Sequence, residues 1–201
     1  MNKGILCVVS GPAGVGKGSV CKDYLNRYEN TFLSVSATTR QPRPGEEHGI
    51  SYYFKTKEEF EEMIENGDLL EYARFCDNYY GTPKKEVQRS LDEGKDIILE
   101  IEVQGALKVK EIMPEAVLIF IFPPSFEELE KRLVGRNTET PEVIEKRLFR
   151  AKEELMISKQ YDYIVVNDEI ELASQKIHCI IDAEKQKVSR NKKLITEVTG
   201  Q

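Results

Sequence analysis

Apolar residues along this chain fall into two textures. The first is the short unbroken run: residues 5–10 (ILCVVS), 97–103 (IILEIEV), 117–122 (VLIFIF) and 163–166 (YIVV) are rich in β-branched side chains and do not alternate cleanly with polar positions. Runs of this length and composition predict central parallel strands covered on both faces. The second texture is helical spacing. Val20, Cys21, Tyr24, Leu25 and Tyr28 recur at three- and four-residue intervals, as do Ile144, Leu148, Ala151 and Leu155, and the stretch from Leu172 through Ile177, Ile180 and Ile181. These predict amphipathic helices. Strands alternating with helices make the expected fold class α/β, a parallel sheet flanked by helices.

Polar positions mark where helices begin. Thr56 with Glu59, and Ser125 with Glu128, fit the capping box, in which a hydroxyl and a carboxylate satisfy backbone N–H groups reciprocally. Thr82-Pro83 and Thr140-Pro141 each set a hydroxyl at the cap and a proline at the first helical position. From Phe32 to Gly81 the pattern changes to short alternating stretches (FLSVS, ISYYF, LLEYARF) punctuated by Pro42, Pro44, Gly45 and Gly49. That texture predicts antiparallel strands in an inserted lobe, bounded at 34–84. The end of the chain, 185–201, turns basic and is expected to fray.

Composition narrows the classes. With 201 residues against ~150 for a common domain, one domain with an insertion is expected. Hydrophobic residues at 40% and charged ones at 32% suffice to bury one core. The formal net charge of −6 disfavours a duplex-binding face, so no nucleic-acid partner is expected. The longest apolar run, 116–122, falls far short of the ~20 residues that cross a bilayer. Ser10, Gly11 and Pro12 interrupt the N-terminal apolar stretch before a signal core forms, so a soluble, cytoplasmic chain without a membrane partner is expected. Cys7, Cys21, Cys76 and Cys179 lie far apart and read as reduced, buried thiols. His48 and His178 stand alone, which disfavours zinc sites and Ser-His-Asp triads.

One segment carries chemistry outright. Gly11-Pro12-Ala13-Gly14-Val15-Gly16-Lys17 satisfies G-x-x-x-x-G-K, after a predicted buried strand and before a predicted helix. Glycines let the backbone turn its N–H groups onto phosphate oxygens, the helix N-terminus adds positive potential, and Lys17 reaches the outer phosphates. The pattern fails the dinucleotide fingerprint G-x-G-x-x-G, because Ser19 stands where the last glycine would fall. Gly18 follows the lysine where the general motif has the Ser or Thr that binds Mg²⁺. Ser19, one place later, either ligates the metal or lies beside the phosphates while water completes the shell.

Eight segments in order then resemble the guanylate kinase family: GPAGVGKGS from Gly11, SVSATTRQPRPGE from Ser34, GISYYF from Gly49, LLEYA from Leu69, NYYGTP from Asn78, ILEIEVQGA from Ile98, KRLVGRNTET from Lys131 and VVND from Val165. The likeness spans residues 4–184, and Gly18-Ser19 resembles a variant loop, G-K-G-[ST], that some members use. The resemblance implies a P-loop NTPase-type sheet, an inserted antiparallel GMP-binding lobe, a helical lid at 126–157, and an enzyme that moves the γ-phosphate of ATP, with Mg²⁺, to GMP or dGMP. It implies that Gly11 through Ser19 cradle ATP, with Asn167 near its base. Arg40, Arg43, Tyr52 and Tyr80 resemble the clamp on the GMP phosphate, where the planar guanidinium fork suits bidentate contact. Ser36, Glu71, Gly81, Thr82 and Glu102 match positions around the guanine. A carboxylate such as Glu71 accepts from both the ring N–H and the exocyclic amine of guanine, whereas adenine presents an acceptor at the ring position. Arg132, Arg136 and Arg147 match lid and core arginines that neutralise the transferring phosphoryl group, with Lys17 and Arg40 completing the catalytic set. Glu100 with Ser19 is implied as the magnesium side, directly or through water, although the family often has Asp at the Glu100 and Glu102 positions.

Two other readings compete. A non-catalytic guanylate-kinase-like binding domain would keep the fold but generally lose the loop lysine or lid arginines, and this chain has Lys17, Arg132 and Arg136. A regulatory GTPase would use Glu102-Val103-Gln104-Gly105 as a loose D-x-x-G switch, yet Asn191-Lys192-Lys193-Leu194 lacks the Asp of N-K-x-D. Tyr79 reads as packing, and Glu58, Glu59, Glu61, Glu62 and Glu65 as a solvated helix face.

Overall fold

The structure, a computed structural model, describes residues 3–135 and 141–200. Its main sheet has five strands, β1 (Leu6–Ser10), β2 (Thr31–Leu33), β7 (Asp96–Glu100), β8 (Val117–Phe122) and β9 (Tyr163–Val166), in the order β2-β7-β1-β8-β9. Every pairing in it is parallel. The unbroken apolar runs follow from that position, because both faces are covered. On β1, Cys7 and Val9 pack on one side with Val20, Cys21 and Tyr24 of α1 (Lys17–Arg27) and Ala173, Ile177 and Ile181 of α7 (Ile170–Lys185). Leu6 and Val8 pack on the other side with Val87 and Leu91 of α3 (Lys84–Asp92) and Ala106 and Val109 of α4 (Val103–Ile112). The result is three layers, helix, sheet, helix.

The second sheet lies between β2 and β7 in the chain: β3 (Ala37–Thr38), β4 (Tyr53–Phe54), β5 (Leu69–Phe75) and β6 (Asn78–Pro83), ordered β4-β3-β6-β5, with α2 (Lys57–Glu65) against it. β3 with β6 and β5 with β6 are antiparallel as expected, but β3 and β4 pair in parallel. Phe60 and Ala37 sit at the centre of its small core, and the Phe60 ring stacks on Tyr79 at 5.3 Å, so Tyr79 is a packing residue. After the main-sheet strand β8 come α5 (Phe126–Val134), α6 (Pro141–Ile157) and, beyond α7, α8 (Lys192–Thr199).

Several sequence expectations are corrected. The strand predicted over 97–103 ends at Glu100, and Val103 already opens α4. The alternating texture that starts at Phe32 begins too early: Phe32 and Leu33 belong to β2 at the edge of the main sheet, where both side chains are half exposed, and the inserted lobe starts after them. Thr56 and Glu59 form the full capping box, whereas at Ser125 only the hydroxyl caps, because Glu128 is engaged by Arg132 Nε at 3.1 Å. Thr82 caps nothing: helix α3 starts at Lys84, and the Thr82 hydroxyl turns to Glu71. Pro141 opens α6, while its expected cap Thr140 lies outside the described residues. Cys7 and Cys21 are buried, but Cys76 and Cys179 are exposed. Within the basic C-terminal segment the described residues form a 3₁₀ turn and α8, neither with a buried residue, and the Asn191 amide donates to the carbonyls of Lys185 and Lys187.

Candidate active site

The phosphate loop runs from the end of β1 to the start of α1, and its backbone dictates its residues. Gly14 and Gly16 take φ of +85° and +93°, a region that disfavours side chains. A Cβ on Gly16 would also fall 2.6 Å from Asn167 Nδ2. Val15, fully buried, anchors the loop in the core. Helix α1 has the αL Gly16 as its N-cap, with no side-chain cap and no acidic residue in its first turn. The N–H groups at a helix start ordinarily take a hydroxyl or carboxylate; this start has no side-chain cap, the arrangement that receives an anion. Lys17 Nζ lies back over the same loop, donating to the carbonyls of Gly11 at 2.6 Å and Pro12 at 3.4 Å.

Two predicted residues brace this loop from outside. Asn167, 3% exposed at the end of β9, donates through Nδ2 to Val15 O at 2.8 Å. Arg132 on α5 donates through Nη1 to Asn167 O at 3.1 Å and through Nε to Glu128. Arg132 is therefore tied to the flank of the loop and does not line the cleft. Arg147 is half-buried on α6, and Arg136 lies outside the described residues.

In front of the loop opens a cleft of about 510 Å³ between the two sheets. Lys17, Ser36, Glu71, Tyr80, Gly81, Glu100 and Glu102 all line it, so residues far apart in the chain converge. Glu71 sits at its second-sheet end, accepting from the Thr82 hydroxyl at 2.7 Å. Burial pushes its carboxyl above the usual carboxylate range, while Thr82 and Lys108 pull the other way. Gly105 belongs to the same pocket, since a Cβ there would approach Glu71 Oε2 to 3.2 Å. At the loop end, Glu100 is likewise raised by burial and by neighbouring Glu102, with Lys17 opposing.

Ser19 is exposed in the first turn of α1, and Gly18 leaves room there: a Cβ on it would meet Glu100 Oε1 at 3.4 Å. Among the described residues no three His, Cys, Asp or Glu side chains form a metal cage. Mg²⁺ commonly keeps several waters and takes one or two carboxylates plus substrate phosphates, and the oxygen donors Glu100 and Ser19 beside Lys17 fit such a partial shell.

The arginine and tyrosine group lies above the cleft. Arg40 follows β3; its guanidinium sits 5.3 Å over the Tyr52 ring, and Tyr52 and Tyr80 meet edge to face at 6.2 Å. Arg43 is exposed on the following turn. Four cleft or clamp residues escaped the sequence reading: Glu46, Lys108, Arg150 and Glu154. Arg150 Nε donates to the nearly buried Glu154 at 2.8 Å and its Nη2 lies 3.7 Å from Glu102, so Arg150 is the α6 arginine lining the cleft. Its position three residues after Arg147, on nearly the same helix face, is the signal that could have found it. For Glu46 the signal is Arg43-Pro44-Gly45-Glu46, Pro then Gly at the centre of a turn.

A glycine-rich phosphate loop at one end of the cleft, with Glu71, Tyr80 and the Arg40 group at the other, defines the class: a P-loop phosphotransferase. The family model for guanylate kinase matches residues 3–187. A guanylate kinase of Halalkalibacterium halodurans is 58% identical over 94% of this chain and 92% of its own length, and one of Clostridioides difficile is 53% identical over 98% and 96%. The crystal structure of a guanylate kinase from Anaplasma phagocytophilum superposes with a TM-score of 0.73 at 36% identity, covering 98% of this chain and 95% of that one. The chain belongs to the guanylate kinase family.

Proposed function

We propose that the chain transfers the γ-phosphoryl group of ATP to GMP, or dGMP, giving ADP and GDP for purine nucleotide recycling, through the residues assigned below. ATP lies with its phosphates on residues 11–19, held by backbone N–H groups and Lys17, with Asn167 and Arg132 keeping the loop in shape. GMP lies across the cleft. Glu71 accepts from guanine N1–H and the 2-amino group, Ser36 and Thr82 supply hydroxyls, and Glu102 borders the base beside Gly81. Arg40, Arg43, Tyr52 and Tyr80 hold its phosphate. Transfer between aligned nucleotides asks little covalent work of the protein, so rate comes from alignment and from charge placed where it develops. Lys17 supplies that charge, joined by Arg136 and Arg147 when the lid region 126–157 and the inserted lobe 34–84 approach, and by Arg132 if that approach exchanges its contact to Asn167 O for the phosphates. Their approach also excludes water, which suppresses ATP hydrolysis. When bound, Mg²⁺ neutralises the donor phosphates, with Glu100 and Ser19 holding it directly or through water. No helix among the described residues is long and apolar enough to cross a membrane, and a cytoplasmic location suits the substrates.

The observation that carries the reading is the half-buried carboxylate of Glu71, fixed by Thr82, in the same cleft as Lys17. A coupled assay comparing GMP, dGMP, AMP, UMP and CMP as acceptors with MgATP tests it. GMP or dGMP should be preferred by orders of magnitude, since unpaired buried polar groups can cost ~10⁴-fold in specificity. Better turnover of AMP or a pyrimidine nucleotide would overturn the assignment of Glu71.

A further inference from the structure

The 40–46 segment is folded back on itself by one carboxylate. Arg43-Pro44-Gly45-Glu46 makes a tight turn, with Gly45 at φ +86° and Glu46 N donating to Arg43 O at 3.0 Å. Pro then Gly at the two central positions is the residue order of a type II turn. The turn returns the Glu46 side chain toward Arg40, six residues earlier. Arg40 Nη2 donates to Glu46 Oε1 at 2.7 Å and to Oε2 at 2.9 Å, while Oε2 also accepts the Arg43 N–H at 2.8 Å. Arg40 Nη1 donates to Gln41 O at 2.8 Å, the guanidinium covers the Tyr52 ring, and Tyr80 meets that ring edge to face at 6.2 Å. The arginine side chain is only 15% exposed as a result.

We propose that Glu46 is a positioning residue for the acceptor phosphate: it fixes the Arg40 guanidinium beside Tyr52 and Tyr80 before GMP arrives. This rests on the functional reading above. A guanidinium has five N–H donors in a rigid fork. Glu46 and the Gln41 carbonyl engage its Nη groups, and Tyr80, which lines the cleft, marks the side from which a phosphate approaches. An arginine on a loop otherwise loses rotamer freedom when it grips a ligand, and a side chain ordered in advance removes that cost from binding. Glu46 also fastens the Arg43 backbone, so one carboxylate sets the spacing of both clamp arginines. The alternative is a competitor that GMP must displace, and it predicts the opposite sign.

The test is steady-state kinetics of the full chain with Glu46→Gln, alone and combined with Arg40→Lys. Glu46→Gln should raise KM for GMP about three- to tenfold, the range expected for one immobilised long side chain, with KM for ATP unchanged and kcat within about twofold. In the Arg40→Lys background the same change should have little further effect, because its action passes through Arg40. Glu46→Asp, which keeps the charge, should lie between wild type and Glu46→Gln. An unchanged or lower KM for GMP, a parallel rise in KM for ATP, or an undiminished effect in the Arg40→Lys background would overturn the proposal. Wild type failing to phosphorylate GMP would instead overturn the functional reading on which it stands.

Discussion

The two ends of the cleft are built from different materials. Around Lys17 the polar groups are main chain: a glycine turn with Gly14 and Gly16 in the left-handed region, a helix start without a side-chain cap, and the Val15 carbonyl pinned by Asn167. This end is welded to the larger core through Val15 and β1. At the other end the polar groups are side chains, Glu71, Thr82, Arg40, Glu46, Tyr52 and Tyr80, carried by a small sheet whose buried core is Ala37, Phe60 and Leu69. The ligands proposed for each end account for the difference. A triphosphate is the same on every nucleotide and can be read by backbone geometry, whereas choosing one base requires a particular donor and acceptor pattern that only side chains supply. Burying such side chains costs stability, and the raised carboxyl of Glu71 is the sign of that cost.

Perturbing each end should therefore produce distinct failures. The largest effect is expected from Lys17→Ala, which removes the loop's one long cationic group: kcat for GMP should fall at least ~10²- to 10³-fold, the scale of a lost electrostatic donor, with GMP affinity by equilibrium titration little changed. Loss of GMP affinity in this variant would mean the two ends are not separable. Glu71→Gln should act the other way, lowering preference for GMP over AMP about 10- to 100-fold, the worth of hydrogen bonds to a charged group, while KM for ATP stays within about twofold.

The smallest effect is on stability and carries a sign. The Glu71 carboxyl is raised in the folded chain, so between the ordinary carboxylate pKa and that raised value the folded state holds more protons than the unfolded one. Stability from this group falls as pH rises through that window and the penalty is complete above it. Glu71→Gln retains an acceptor for Thr82 without the charge, so its Tm should exceed that of wild type near neutral pH. The gap should close toward about pH 4. A gap that widens on acidification would contradict the burial account.

How much of this was readable from residues alone depends on whether the cause was local. The phosphate loop, the strands at 117–122 and 163–166 and the Thr56–Glu59 box were readable, because turn chemistry, unbroken burial and capping act over a few positions. Thr82 was misplaced as a cap because Thr-Pro carries the same local signature whether the hydroxyl turns to its own helix or to Glu71 across the sheet. Glu128 was similarly drawn from the cap by Arg132 one turn on. Edge strand β2 looked like part of the lobe because Phe32 and Leu33, on opposite faces, are both half exposed, so it lacks the unbroken burial that marks the central strands. Of the site, the convergence of Ser36, Glu71, Tyr80, Glu100 and Glu102 on Lys17 followed from family likeness. The engagement of Arg40 by Glu46 and of Glu154 by Arg150 did not, since choosing among neighbouring charges needs the folded chain.

The most direct measurement is a crystal structure of the chain with GMP and a non-hydrolysable ATP analogue. The account predicts the monophosphate against Arg40, Arg43, Tyr52 and Tyr80, guanine on Glu71, and the triphosphate over residues 11–19 with its terminal group facing GMP. A monophosphate bound away from Arg40 and Tyr80, or a base turned from Glu71, would contradict it.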